Sequence, residues 1–193
     1  MDSTELILEH ASEVRILEEG WNLFQQKGYR GVTLDEVCEK SGFSKPTLYY
    51  YFHDKETLFV NVLRLKLHGF HEVIEAPGEL PMRLERIAAA VLDSFQTEYS
   101  ALLRDREHIK SPENAAAIRN AFQQEMFAPL NALMQNGIDS GMLSAGNPTM
   151  FTLIFLGSIN NFINKAAEMG LTNKTLARQL VGYFLSGAQS AQK

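Results

Sequence analysis

Residues 32–55 read VTLDEVCEKSGFSKPTLYYYFHDK, which is the pattern of two short helices joined by a tight turn. Thr33 is followed three residues later by Glu36, the spacing of a capping box at a helix start. Gly42 can adopt the left-handed conformation that ends a helix and turns the chain. Ser44 is a good N-cap for the second helix. The stretch therefore predicts a helix-turn-helix, whose second helix has the shape to lie in the major groove of DNA.

The second of these helices has apolar and polar side chains on different faces. Leu48 and Phe52 lie at i and i+4 and are expected in the core, whereas Lys45 and Tyr49 share a different face. The three consecutive tyrosines, 49–51, fan out at about 100° per residue, so some must present their hydroxyls to solvent or to a partner. Hydroxyl and amine groups suit phosphates and base edges. The alternative is that the tyrosines only complete a small helical core.

At these residues the chain resembles the TetR family of bacterial transcriptional regulators. The resemblance covers residues 16 to 59 in order and spacing, and it rests on Ile16, Leu17, Leu23, Phe24, Gly28, Tyr29, Thr33, Gly42, Phe43, Ser44, Thr47, Leu48, Tyr49, Tyr51, Phe52, Lys55, Glu56, Leu58 and Phe59. Gly20, Cys38 and Ser41 stand where alanine is usual in the family. All three are small, so close helix packing is expected to survive.

The resemblance implies an all-α homodimer with two domains. Residues 1–55 would form a three-helix, helix-turn-helix DNA-binding domain, and a linking helix would run over about 54–75. Residues 78–193 would form a helical domain that binds an effector and dimerises. Pro77, Gly78 and Pro81 interrupt the helical pattern and mark the expected boundary segment.

The resemblance also implies which side chains contact a DNA operator. Tyr49 would lie near bases, and Tyr51 and Lys55 would bind phosphates. The full set of expected DNA-binding residues is Thr33, Ser44, Lys45, Pro46, Thr47, Tyr49, Tyr50, Tyr51 and Lys55.

Charge and composition limit these expectations. The net charge of −5 is unfavourable for binding a polyanion, but residues 40–53 hold two lysines and no carboxylate, so the recognition face is mildly positive. We expect few phosphates to be neutralised and a moderate salt dependence. Asp35 would face the DNA backbone if its side chain pointed outward, and would then restrict which operators are tolerated.

The other features of the composition predict a soluble, cytoplasmic protein. No apolar run approaches the roughly 20 residues that span a bilayer, and the acidic N-terminus lacks the basic start of a signal peptide. The one cysteine, Cys38, is expected to be a small core residue, with a redox-sensing thiol as the alternative.

The remaining sequence predicts helices throughout and no strands. The predicted ranges are about 4–27, 54–75, 81–99, 112–138, 149–169 and 172–189, with Gly28 ending the first and Pro129 kinking the fourth. Residues 149–169 carry more apolar surface than a one-sided helix needs, and Gly182, Gly187 and Ala188 in the final helix allow close approach. The resemblance implies that the last two helices, about 149–189, form a four-helix dimer interface, and a purely internal core is the alternative.

A hydrophobic or aromatic small molecule is the expected effector. The candidate ligand-binding residues, which could equally be plain core, are Phe95, Tyr99, Phe122, Met126, Phe127, Phe155 and Phe162. A metal site could be formed by His68, His71, Glu72 and Glu75. We expect instead that these four are solvated polar residues on the linking helix.

We therefore expect a ligand-responsive transcriptional regulator, in particular a homodimeric repressor released from a palindromic operator by its effector. The alternative is an effector-independent DNA-binding activator or structural regulator. An enzyme is not expected, because the chain has no phosphate-binding glycine loop, zinc-ligand spacing or nucleophile motif. Accordingly, no catalytic residue, cofactor or metal is expected.

Overall fold

The computed structural model describes residues 3–95 and 106–188, and all regular secondary structure in these ranges is helical. The helices are α1 (Ser3–Gly31), α2 (Leu34–Ser41), α3 (Lys45–Tyr51), α4 (Lys55–Glu75), α5 (Leu80–Ser94), α6 (Pro112–Phe122), α7 (Ala128–Asp139), α8 (Pro148–Asn160) and α9 (Asn173–Ala188). A 3-10 turn, Arg106–His108, precedes α6, and a π-helical segment, Gln123–Phe127, joins α6 to α7. The predicted all-α fold with an N-terminal helix-turn-helix is confirmed. Across the described ranges, no helix has both the length and the apolar character needed to cross a bilayer.

The chain forms two compact units, which divide inside α4 after Lys66 and inside α6 after Arg119. The first unit contains α1 to α3, the start of α4, the 3-10 turn and the start of α6. The second contains the rest of α4 and α6 together with α5 and α7 to α9. The functional domain limits expected from the sequence, 1–55 and 78–193, remain a prediction.

The core of the first unit packs α1 against α4 and the helix-turn-helix. Its buried apolar side chains include Ile16, Leu17, Trp21, Phe24, Val37, Leu48, Leu58 and Phe59. Phe24 and Phe59 meet edge to face, with their ring centroids 4.9 Å apart. Gly20 allows the close approach, since a Cβ there would lie 3.1 Å from Cγ2 of Val62. This core packs beneath the helix-turn-helix and supports it.

The end of α1 is more complex than predicted. At Gly28 the backbone leaves helical geometry, with φ of 68° and ψ of 170°, as the sequence indicated. Helical hydrogen bonding then resumes for about one turn as far as Gly31. The prediction that the helix ends at Lys27 is therefore correct for the straight part of α1, and wrong for the short turn beyond it.

The sequence predicted that Pro129 kinks the fourth helix, and the structure shows an irregular turn immediately before this proline. The chain widens there into the π-helical segment, where the N–H of Ala128 donates to the carbonyl of Gln123, five residues earlier. A proline ring has no N–H and crowds the carbonyl four residues before it, here that of Glu125. The wider turn relieves this conflict, so the irregularity lies on the N-terminal side of the proline.

The helix predicted for residues 149–169 ends early, at Asn160. The side chain of Asn161 donates to the carbonyl of Gly157 at 2.9 Å, which competes with helix propagation. Asn164 then adopts the left-handed region with φ of 61°, which asparagine tolerates better than most residues. Phe162 and Ile163 therefore lie in turns rather than on α8.

Two other predicted helix ends reach past the described residues. The α5 helix ends at Ser94, and the N–H of Phe95 closes it on the carbonyl of Val91. The predicted continuation to Tyr99 lies outside the described residues. The last helix begins one residue later than predicted, at Asn173, and its predicted end at Gln189 also lies outside them.

The second unit is organised around α5, which packs against α8 and α9, while α7 packs against α8. Its buried side chains include Leu84, Ile87, Val91, Leu130, Met134, Phe155, Ile159, Leu176 and Val181. Two arginines of α5 cap the C-terminal end of α4. Arg83 Nη2 lies 2.6 Å from the carbonyl oxygen of Ile74, and Arg86 donates to the carbonyls of Val73, Ala76 and Pro77. Guanidinium groups suit this position because the last carbonyls of a helix have no partners within it.

Candidate nucleic-acid interface

The start of α2 is fixed by the predicted capping box. Thr33 Oγ1 accepts from the N–H of Glu36 at 3.3 Å, and the Glu36 carboxylate accepts from the N–H of Thr33 at 2.9 Å. Lys27 of α1 also pairs with Glu36. The hydrogen bond from Lys27, followed by those from Thr33, lowers the pKa of Glu36 to about 2. The Glu36 carboxylate is therefore charged at neutral pH and is occupied within the protein.

The turn between α2 and α3 also follows the prediction. Gly42 has φ of 77° and its N–H donates to the carbonyl of Cys38 at 2.9 Å. Ser44 caps α3, because its Oγ accepts from the N–H of Thr47 at 3.4 Å and lies 2.9 Å from Thr47 Oγ1. Asp54 similarly caps α4 through the N–H of Thr57, at 2.7 Å. The angle between α2 and α3 is thus set by local hydrogen bonds.

Cys38 is half-buried in α2. Burial, and then the negative charge of Asp35, raise the pKa of its thiol. A raised pKa keeps the thiol protonated and unreactive, which favours the packing role over redox sensing.

The exposed face of α3 presents tyrosines. Leu48 and Phe52 are fully buried, whereas Tyr49 is 47% and Tyr50 68% exposed. Tyr51 is half-buried, and its ring meets that of Tyr50 edge to face with 5.1 Å between centroids. The alternative that the tyrosines only complete a core is therefore wrong for Tyr49 and Tyr50.

Lys45, the first residue of α3, has a partner that the sequence did not indicate. Its Nζ lies 2.6 Å from Oδ1 of Asp35 in α2, and both side chains are more than half exposed. The hydrogen bond from Lys45 to Asp35, and then the charge of that carboxylate, raise the pKa of Lys45. The ammonium of Lys45, which is expected to contact DNA, is thus held beside the carboxylate of Asp35.

Lys55, expected on a phosphate, is bound to the protein backbone. Its Nζ donates to the carbonyls of Tyr29 and Val32, at 2.9 and 3.0 Å, and lies 4.6 Å from the centre of the Tyr29 ring. Burial lowers the pKa of Lys55. The structure gives this lysine an anchoring role, because it ties the end of α1 to the start of α4. Its phosphate contact remains a prediction.

Glu56, beside Lys55, binds a segment distant in sequence. Its carboxylate accepts from the N–H groups of Lys110 and Ser111, at 3.0 and 2.9 Å, and from Nδ2 of Asn114 at 2.9 Å. Desolvation acts to raise the pKa of Glu56, but the hydrogen bonds from Asn114, Lys110 and Ser111 outweigh it, so the pKa is lowered. Ser111 also caps α6, because its Oγ accepts from the N–H of Asn114 at 3.2 Å. Nothing in the sequence linked this cap to Glu56.

The structure places the effector candidates in several environments. Phe95 is buried and stacks on Phe70, Met126 and Phe155 are core residues, and Phe122 and Phe127 are half-buried with 6.4 Å between their ring centroids. Phe162 instead lines an open groove between α8 and α9. Tyr99 lies outside the described residues. Ligand contact by these residues remains a prediction.

The surface formed by α8 and α9 carries exposed apolar side chains, and we refer to it as the α8/α9 face. Met150, Leu153, Ile154 and Tyr183 are each more than half exposed. A groove of about 510 Å³ runs along it, lined by Phe151, Ile154, Ser158, Asn161, Phe162, Leu180, Tyr183, Phe184 and Gly187. A surface this apolar is typical of a protein–protein contact.

The histidines of α4 approach one carboxylate. Nδ1 of His68 and Nδ1 of His71 lie 3.3 and 3.6 Å from Oε2 of Glu125 in the π-helical segment. Within the part of the chain that the structure describes, no group of three or more His, Cys, Asp or Glu side chains is arranged to hold a metal ion.

Comparison with known proteins agrees with the fold and the helix-turn-helix. Residues 16–62 match the family model for bacterial regulatory proteins of the tetR family. The chain is 41% identical to the HTH-type transcriptional regulator RutR of Escherichia coli (strain K12) over an alignment 207 positions long, gaps included, which covers 95% of this chain and 88% of RutR.

Solved structures show the same fold. The TetR-family regulator PfmR of Thermus thermophilus aligns with a TM-score of 0.70 and 22% identity, over 93% of this chain and 100% of PfmR. FadR of Bacillus subtilis, solved in complex with stearoyl-CoA, aligns with a TM-score of 0.69 and 15% identity, over 91% of this chain and 99% of FadR. These relatives are regulators and not enzymes. The chain belongs to the TetR family of bacterial regulatory proteins, and it is a DNA-binding transcriptional regulator.

Proposed function

We propose that this protein is a homodimeric repressor that leaves a palindromic operator when a small molecule binds its C-terminal domain. The observation that carries the proposal is the surface of α3, where Tyr49 and Tyr50 are exposed on a helix whose other side is fully buried. Such a helix can place its exposed face in the major groove while its buried face stays packed on the domain core. The protein acts in the cytoplasm, where it meets chromosomal DNA.

The operator contacts are made by α3 and by the start of α2. The proposed contact residues are Thr33, Ser44, Lys45, Pro46, Thr47, Tyr49, Tyr50, Tyr51 and Lys55. Hydroxyl groups from Thr33 and Tyr51 suit phosphates, and the exposed ring and hydroxyl of Tyr49 suit a base edge or a thymine methyl group.

The α8/α9 face is the proposed dimer interface. Leu153 and Ile154 on α8 and Tyr183 on α9 are exposed apolar side chains on adjacent helices. Pairing this face with its copy around a twofold axis buries them in a four-helix arrangement. Dimerisation allows two α3 helices to enter successive major grooves, about 34 Å apart.

The proposed effector is a hydrophobic or aromatic small molecule. FadR, which shares the fold, was solved with stearoyl-CoA, and the described candidates in this chain, Phe95, Phe122, Met126, Phe127, Phe155 and Phe162, are all apolar. The effector releases DNA because it binds better to the conformation with the wrong spacing of recognition helices.

An effector-independent regulator is the second candidate. It is favoured by the complete burial of Met126 and Phe155, which behave as ordinary core residues. A thermal-shift screen of drugs, fatty acyl derivatives and aromatic metabolites separates the two, since a ligand that binds the native state raises its melting temperature. A compound that raises the melting temperature and weakens operator binding supports the repressor. A screen without any shift supports the effector-independent regulator.

The DNA-binding part of the proposal is tested by mixing the protein with genomic fragments at moderate salt and sequencing what it retains. A repressor of this kind retains fragments that share one palindromic motif. The variant Lys45→Ala/Tyr49→Phe should lose the motif. The control Lys165→Ala, which removes an exposed lysine in the second unit, should retain it. Recovery of unspecific DNA alone by the unmodified protein contradicts the proposal.

A further inference from the structure

Lys45 donates to Asp35 at the start of the recognition helix, so the two side chains form a donor and acceptor pair. Their charged atoms are 2.6 Å apart, and the two side chains are 67% and 57% exposed. The capping box of α2 is closed by Glu36, so Asp35 is not needed for that hydrogen bond. Because Asp35 contacts the Lys45 ammonium, a DNA group that binds this ammonium also comes close to the carboxylate.

We propose that the Lys45–Asp35 pair reads one G·C base pair in each half of the operator, and that Asp35 is therefore a specificity-determining residue. This inference rests on the proposed DNA-binding role of α3. In the major groove a G·C pair presents acceptors, guanine O6 and N7, beside a donor, the cytosine N4 amino group. The ammonium of Lys45 binds the guanine acceptors while the carboxylate of Asp35 accepts from cytosine N4.

The spacing of the two charged atoms fits that edge. Guanine O6 and cytosine N4 are hydrogen-bonded to each other, so they lie about 2.9 Å apart. The corresponding protein atoms, Lys45 Nζ and Asp35 Oδ1, are 2.6 Å apart. The pair can therefore contact the base edge without separating. An A·T pair also sets an acceptor, thymine O4, beside a donor, adenine N6, but only guanine offers the ammonium a second acceptor, N7, beside O6.

Non-operator DNA does not present a G·C pair at this position. Binding there depends on phosphates, and a phosphate attracts Lys45 but repels Asp35. Lys45 must then leave its carboxylate, which stays near the DNA backbone uncompensated. The same pair thus favours the operator and disfavours other sequences, which matters in a chain whose net charge is already −5.

The test compares Asp35→Asn, Lys45→Gln and the double variant with the unmodified protein. The control is Glu18→Gln at an exposed position on α1, which removes one negative charge as Asp35→Asn does. Each protein is used to select genomic fragments, and its affinities for the selected operator and for a mixed-sequence duplex are measured across a salt series. Melting temperatures check that the variants are folded.

The expected result is a symmetric G·C position in the motif whose preference is lost in Asp35→Asn and in Lys45→Gln. Operator affinity of Asp35→Asn falls about tenfold to a hundredfold, as for loss of one good base contact. Its affinity for the mixed-sequence duplex rises, and the salt dependence there steepens by about 0.9 per phosphate gained by Lys45. The double variant loses no more preference at that position than either single variant. Glu18→Gln has the sequence preference and the DNA affinities of the unmodified protein.

Two results overturn the inference while leaving the proposed function intact. One is an Asp35→Asn protein with unchanged sequence preference and higher affinity for all DNA, which means that Asp35 only repels the backbone. The other is loss of preference at an A·T position. If the unmodified protein selects no motif at all, the proposed function fails as well, so the two failures are distinguishable.

Discussion

Glu56 of α4 accepts a hydrogen bond from Asn114 of α6, with 2.9 Å between Glu56 Oε1 and Asn114 Nδ2. The same carboxylate binds the N–H groups of Lys110 and Ser111. One side chain beside the helix-turn-helix therefore holds the start of α6, 54 to 58 residues away in sequence, and all of these residues belong to the first unit.

We predict that Glu56→Ala lowers the free energy of unfolding by about 1–3 kcal/mol, because it leaves several donors without their charged acceptor. Glu56→Gln should lose less free energy of unfolding, since the amide oxygen still accepts a hydrogen bond. Urea unfolding measures both effects. The control Glu39→Gln, at an exposed position on α2, should stay within about 0.5 kcal/mol of the unmodified protein. An unfolding midpoint of Glu56→Ala equal to that of this control contradicts the assignment.

Glu36 should make the protein sensitive to acid. Its pKa falls from an ordinary 4.5 to about 2, mainly through Lys27. A carboxyl with a lowered pKa in the folded state stabilises the fold above its unfolded pKa, and that stabilisation is lost as the pH falls toward the folded value. Between about pH 4.5 and pH 2, the stability of Glu36→Gln should therefore decline less steeply with falling pH than that of the unmodified protein. Urea midpoints over this range measure the slopes, and equal slopes contradict the prediction.

Two helical glycines should respond oppositely to alanine. A Cβ at Gly137 would lie 2.9 Å from Leu143 Cδ1 and from Leu80 Cδ2, whereas nothing lies within 4 Å of one at Gly69. Gly137→Ala should cost about 1–3 kcal/mol through overpacking. Gly69→Ala, in the middle of α4, should stabilise by about 0.5–1 kcal/mol through helix propensity. Thermal unfolding provides the comparison. A Gly137→Ala protein as stable as the unmodified protein contradicts the packing described for Gly137, and a destabilised Gly69→Ala protein contradicts the open space at Gly69.

The dimer proposal predicts that Leu153→Asp produces a monomer, because it places a charge in the middle of the α8/α9 face. Operator affinity should fall with it, since one α3 alone contacts only a half-site. Met82→Asp is the matched control, because Met82 on α5 is 60% exposed and Leu153 is 56% exposed. Sedimentation measures the mass. A Leu153→Asp dimer as stable as that of the control contradicts this interface.

Sequence patterns predicted the local structure of the helix-turn-helix closely. Thr33, Gly42 and Ser44 each act on neighbours within five residues, through hydrogen bonds that depend on residue type and spacing. The burial of Leu48 and Phe52 followed from helical periodicity in the same way.

Contacts between distant segments could not be predicted this way. The pairing of Asp35 with Lys45, and the hydrogen bonds of Lys55 and Glu56, depend on how the helices are packed. The π-helical segment before Pro129 is another such case, because the proline signals an irregularity but does not determine which turn absorbs it. Ligand contacts could not be selected because pocket and core residues share the same apolar pattern.

The most direct test of the account is the operator affinity of Tyr49→Phe and Lys45→Ala, measured by fluorescence anisotropy on the selected operator. If α3 reads the operator, each variant binds about tenfold more weakly or worse, while the dimer mass and the melting temperature remain those of the unmodified protein. Lys165→Ala serves as the control and keeps full affinity. Unchanged affinity in both α3 variants, or a loss of affinity that only accompanies a loss of folding, would contradict the central claim that these side chains contact DNA.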